Sequence, residues 1–198
     1  MTVFRLVLWL VVAAAICLAG VLALSLWRGA TDRDGAQAPV LGAAFELLDQ
    51  DGAVITESAF AGRPTALFFG FTQCPEICPV SLFEVSSLMD ELGSAKKDLQ
   101  AFFISVDPAR DSPAVIRSYL APFSDNIGGI TGDEAGITAL AKSWGVYIEK
   151  VPLDDGDYTV DHTASVYLVD RKGRFRGTIA YRENRQTALE KMRLIIDL

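Results

Sequence analysis

Two runs, TALFFGF at residues 65–71 and AFFISVD at 101–107, are apolar at nearly every position. A strand with one wet face alternates apolar and polar residues, whereas a strand covered on both faces does not. Both runs therefore predict central strands with helices packed on each side of the sheet. Helical spacing follows each of them. After the first run, Leu82, Val85, Leu88 or Met89, and Leu92 recur at intervals of three and four. After the second, DSPAVIRSYLAPF opens with Ser112 as an N-cap and Pro113 in the first turn.

The remaining segments extend that frame. AAFELLDQDGAVI reads as a hairpin turning at Gln50-Asp51-Gly52. GDEAGITALAKSWGV reads as a helix with Asp133 near its start and Trp144 in the core. VYIEKVPLDDGDYTVDH reads as a hairpin turning at Asp155-Gly156. ASVYLVD and RFRGTIAY form two strands joined by Arg171-Lys172-Gly173, and a last helix starts near Gln186. Strand, helix, strand, helix, helix, antiparallel pairs and helix predict an α/β fold, a thioredoxin-like mixed sheet flanked by helices.

The chain begins differently. Leu6 to Trp27 is uncharged and long enough to span a bilayer as a helix, with Trp9 and Trp27 placed for the two interfaces. A cleaved signal peptide is the competing reading. The run is long for one, and its small-residue site Ala13-Ala14-Ala15 lies within it rather than after it. The expected organisation is an N-terminal transmembrane anchor over 1–28, a small polar linker over 29–39, and a folded body over 40–198. An anchor starting almost at Met1 leaves no room for a mitochondrial presequence. The expectation is a bacterial inner-membrane protein of single pass, its body on the periplasmic side. Beyond the first 34 residues the chain carries 15 basic and 23 acidic residues, a charge of −8 against −7 for the whole, which argues against nucleic acid as a partner.

Chemistry concentrates in FFGFTQCPEICPVSL, residues 68–82, just after the first central strand. Of three cysteines, Cys17 lies in the apolar run, which leaves Cys74 and Cys78 for the body. One close pair is no disulfide framework; it is a redox couple or part of a metal site. Positions i and i+4 share a helix face, so both sulfurs can aim at one atom. A helix N-terminus favours the thiolate. The single histidine, His162, stands at the entry to a later strand. Two sulfurs and one imidazole suit Cu(I) and can hold Cu(II), whereas zinc prefers a fourth ligand. No serine triad, paired hydrolytic carboxylates or phosphate-binding glycine loop is evident.

FFGFTQCPEICPVSL, FISVDPARDSP and WGVYIEKVPLDDGDYTVDHTASVYLVD, together with the N-terminal apolar run, resemble the Sco/SenC family. The similarity runs from about Pro39 to the C-terminus. It implies a membrane-tethered, thioredoxin-fold copper protein that helps build the dinuclear copper A centre of cytochrome c oxidase. It further implies Cys74, Cys78 and His162 as the metal ligands. The expected cofactor is copper, and the expected acceptor is the oxidase subunit carrying copper A, with a possible periplasmic donor upstream. Such a chain is a metallochaperone and not an enzyme.

The alternative is a thiol–disulfide oxidoreductase using Cys74 and Cys78 to reduce the acceptor's cysteines. Oxidoreductases of this fold carry a proline where Ala164 stands here, so copper handling is favoured. Lesser candidates are Asp107 and Asp111, read chiefly as turn residues and otherwise as supports for the site. Asp161 is a candidate to orient His162. Asp154, Asp155 and Asp157 form an acidic turn that can meet a basic partner.

Overall fold

The structure is a computed structural model that describes Arg5, Trp9, Leu18, Gly20, residues 42–154 and residues 156–198. The predicted anchor and linker, apart from four isolated helical positions, lie outside the described residues, as does Asp155 of the acidic turn. Among the described residues no helix is long and apolar enough to cross a membrane. The chain divides into two units, residues 1–37 and 38–198, and the second carries everything that follows.

Among the described residues, nine strands and four α-helices build that unit. They are β1 (Glu46–Asp49), β2 (Val54–Thr56), β3 (Thr65–Gly70), α1 (Ile77–Glu91), β4 (Gln100–Ser105), α2 (Pro113–Leu120), β5 (Ile127–Thr131), α3 (Glu134–Ser143), β6 (Ile148–Pro152), β7 (Tyr158–His162), β8 (Val166–Val169), β9 (Phe175–Ile179) and α4 (Arg185–Asp197). Seven strands form one mixed sheet in the order β2-β1-β5-β4-β3-β8-β9. β3, β4 and β5 run parallel at its centre, and β8 and β9 close one side antiparallel. All six residues of β3 are buried, as an apolar run without alternation requires. Phe69, Phe103 and Ile104 sit at zero exposure in the core. Trp144 joins them, as predicted.

Local chemistry fixes the ends. Asp49 accepts from the amides of Asp51 and Ala53 and so closes the first hairpin. Ser112 caps α2, Asp133 caps α3 and Asn184 caps α4, each through its side chain. Two features depart from the sequence reading. β5, a strand through Gly128 and Gly129, was not foreseen. The second is that, among the described residues, β6 and β7 pair only with each other, as a separate two-stranded ribbon. His162 is the last residue of that ribbon, where the hairpin reading also ended, and residues 163–165 lead from it into β8.

Candidate metal centre

β3 delivers the chain to the C-terminal edge of the parallel strands, where open α/β sheets place their ligands. There the chain turns, with the Cys74 amide bonding the Phe71 carbonyl at 3.2 Å, and enters α1. The helix begins at Ile77, so Cys74 precedes it instead of sharing its face with Cys78. The sulfurs meet by a different route. Cys74 Sγ accepts the Cys78 backbone N–H at 3.3 Å, filling one of the donors that a helix start leaves open. Cys78 is fully buried and Cys74 half-buried, and both are free thiols.

The close fit depends on Gly70. A Cβ there would lie 2.9 Å from Cys78 Sγ and 2.8 Å from the Phe103 ring. Asp111 steadies the turn. Fully buried, it accepts from the Thr72 amide at 3.0 Å, the Thr72 hydroxyl at 2.5 Å and the Ser105 hydroxyl at 2.7 Å. The sequence reading of Asp111 as chiefly a turn residue understates this link between two strand ends.

His162 arrives from the other side. Its Nε2 stands 3.6 Å from Cys78 Sγ, across 84 residues of chain. Its ring meets Phe71 edge-on at 5.9 Å and Phe68 at 6.2 Å. Nδ1 faces the Thr163 carbonyl at 3.0 Å, so a backbone oxygen orients the ring rather than Asp161. An open groove of about 510 Å³ lies over the site, lined by Cys74, Glu76, Ile77, Tyr147, Asp161 and His162 among others.

The thiols are inequivalent. Hydrogen bonding from the Cys78 side chain draws the Cys74 pKa down to about 4, helped by His162 and backbone N–H groups against the opposing effect of burial. The same bond, together with burial, pushes Cys78 far up. Cys74 is thus the thiolate and Cys78 the buried proton donor. Iodoacetamide is expected to alkylate Cys74 at a rate nearly flat from about pH 8 to pH 5, falling only towards pH 4. The depressed value keeps the nucleophile ionised over that range. Peptide mass spectrometry after timed quenching reads it; a rate climbing through pH 8–9 as for a free thiol would refute the assignment.

Among the described residues no three His, Cys, Asp or Glu side chains stand in ready metal geometry. The donors are at hydrogen-bonding separation. The donor set is nevertheless soft, partly ionised, open on one side and suited to copper. Sequence reasoning missed Arg110 and Tyr158. Arg110 lies between Asp107 and Asp111 and pairs with the buried Asp107 carboxylate. Its place in FISVDPARDSP was the available signal.

Fold and site together define a thioredoxin-like protein with two thiols and an imidazole gathered at the ligand-binding edge of its sheet. Residues 33–197 match the SCO1/SenC family model, and the chain belongs to that family. An SCO2-like protein of Rickettsia felis is 36% identical over 137 residues, covering 68% of this chain and 67% of that one. The copper-bound structure of Bradyrhizobium japonicum ScoI superposes with a TM-score of 0.72 at 42% identity, covering 78% of this chain and 99% of that one. A third relative, BsSco, is described by a disulfide switch and as a member of the Sco family of cytochrome c oxidase assembly proteins. It is 26% identical with a TM-score of 0.64, and 82% of this chain and 96% of that one are covered.

Proposed function

We infer that the chain is a copper metallochaperone that binds one copper ion through Cys74, Cys78 and His162. It passes the ion to the copper A centre of cytochrome c oxidase. The observation that carries this reading is the 3.6 Å approach of His162 Nε2 to the Cys78 sulfur, itself beside Cys74. The copper-bound state of the Bradyrhizobium relative supports it. Copper is cargo here. A thiolate already formed at Cys74 accepts it, Cys78 gives up its proton on loading, and the imidazole completes a three-donor set. The open groove leaves one side of the metal for an incoming acceptor ligand, so transfer proceeds by ligand exchange and nothing is turned over. Residues 1–28 serve as the anchor, 29–39 as the linker and 40–198 as the copper-binding domain. The anchor holds the domain on the periplasmic face of a bacterial inner membrane, where an upstream periplasmic donor loads it.

A second reading has its own support. The lowered pKa of Cys74 beside a second thiol also equips the pair to reduce an acceptor disulfide, and BsSco is described by a disulfide switch. That role needs no histidine. The deciding experiment loads the full-length chain in detergent, reduced and anaerobic, with Cu(I) and measures metal after desalting. One copper per parent chain, lost in His162→Ala through a weakening well over tenfold, is expected. This corresponds to more than about 1.4 kcal/mol. Equal retention in both, or none in the parent, moves the thiol-reductase role to first place.

A further inference from the structure

The ligand His162 rides on a ribbon that, among the described residues, shares no strand pairing with the main sheet. Side chains therefore share, with the short link from His162 to Val166 of β8, the task of fixing where the imidazole stands. Tyr158, Val160 and His162 alternate onto one face of β7, and Val160 is buried against the body. Tyr158 is where the ribbon is fastened. Its hydroxyl donates to Asp107 Oδ1 at 2.7 Å, and Asp107 has no exposed surface. Arg110 pairs with the other Asp107 oxygen and spreads over the Tyr158 ring, 3.8 Å from its centroid. The same guanidinium donates to the Tyr158 carbonyl at 2.9 Å and to Asp157 at 3.1 Å. It also lies 5.9 Å from the Phe71 ring, whose edge meets His162. The Lys150–Glu134 pair also ties the ribbon to α3, but both partners are exposed and such pairs contribute little.

We propose that Asp107, Arg110 and Tyr158 form a latch that positions His162 over the thiols. This rests on the three-ligand reading above. The latch touches no metal ligand directly. It acts along β7, about 13 Å from Tyr158 to His162 at the usual strand rise. A guanidinium both ion-paired to a buried carboxylate and stacked on the ring has a rigidity that a lysine lacks.

The test compares parent, Arg110→Gln, Tyr158→Phe, His162→Ala and the Arg110→Gln/His162→Ala double variant as full-length chains in detergent. Cu(I) affinity is read by chelator competition, and hydrogen exchange of residues 158–163 is read on the copper-free protein. Arg110→Gln is expected to weaken copper about tenfold, within the range for groups that orient a metal ligand. Tyr158→Phe keeps the stacked ring and should lose less. In the His162→Ala background the Arg110 effect should vanish, which general destabilisation would not produce. Exchange in β7 should rise while β3 stays protected. An Arg110 cost that persists without His162, or β7 exchange unchanged in both latch variants, would overturn the proposal. If the parent binds no copper, the three-ligand reading fails, and β7 exchange alone upholds or overturns the latch.

Discussion

Asp111→Ala should destabilise the folded domain by about 3 kcal/mol and loosen the turn that carries Cys74. The carboxylate is the common acceptor for the Thr72 amide, the Thr72 hydroxyl and the Ser105 hydroxyl. Alanine removes the acceptor and leaves these donors enclosed, and each buried unsatisfied group costs roughly 1–3 kcal/mol. The two hydroxyls can turn to other acceptors, which keeps the total near the upper end of the single-group range, about 3 kcal/mol, instead of three times it. Burial raises the Asp111 pKa even against these donors, so the folded protein tolerates a neutral group there better than a gap. Asp111→Asn should therefore cost less, about 1–2 kcal/mol, because one amide oxygen still accepts. Urea unfolding of the full-length chain gives both values. Thr72 lies two residues before Cys74, so alkylation of Cys74 should also lose its flat pH profile in the alanine variant. A cost within about 0.5 kcal/mol, typical of surface changes, would show that the Asp111 contacts are not what secures the turn.

What the sequence disclosed follows the strength of local signals. Apolar runs without alternation gave β3 and β4 because burial on both faces leaves no room for polar residues. The Ser112 cap gave the start of α2, and Asp133, read only as near the start of α3, turns out to cap it, since both side chains act on their own backbone neighbours. Cys74, Cys78 and His162 were named from residue types and a family resemblance, and the structure brings Cys78 and His162 within contact. Long-range polar partners stayed hidden. The Asp107–Tyr158 bond spans 51 residues, and Arg110 to Asp157 spans 47, distances over which no periodicity speaks. The isolation of the β6–β7 ribbon was equally invisible, because a hairpin's own pattern is the same whether or not it joins a larger sheet.

β5 was missed for a reason that makes its own prediction. Its sequence, IGGIT, carries two adjacent glycines, which disfavour a strand on propensity alone. Tertiary packing demands them. A Cβ on Gly129 would come within 2.2 Å of Ile116 Cγ2 and 3.2 Å of Leu120 Cδ1, both on α2 above the sheet. Ile116 is fully enclosed and has no free direction in which to retreat. The missing side chain is thus what allows α2 to sit close on β5 beside the edge that carries the site. Gly129→Ala should destabilise by roughly 1–3 kcal/mol, the usual cost of overpacking a filled core. The cause is tested by pairing it with Ile116→Ala. That variant alone costs about 2–5 kcal/mol through its cavity, but the space it opens receives the new methyl group. The double variant should therefore be less destabilised than the sum of the singles by about 1 kcal/mol or more. Additive costs in urea unfolding would mean that the clash is relieved by backbone movement, and that the glycine pair is not what brings the helix down onto the strand.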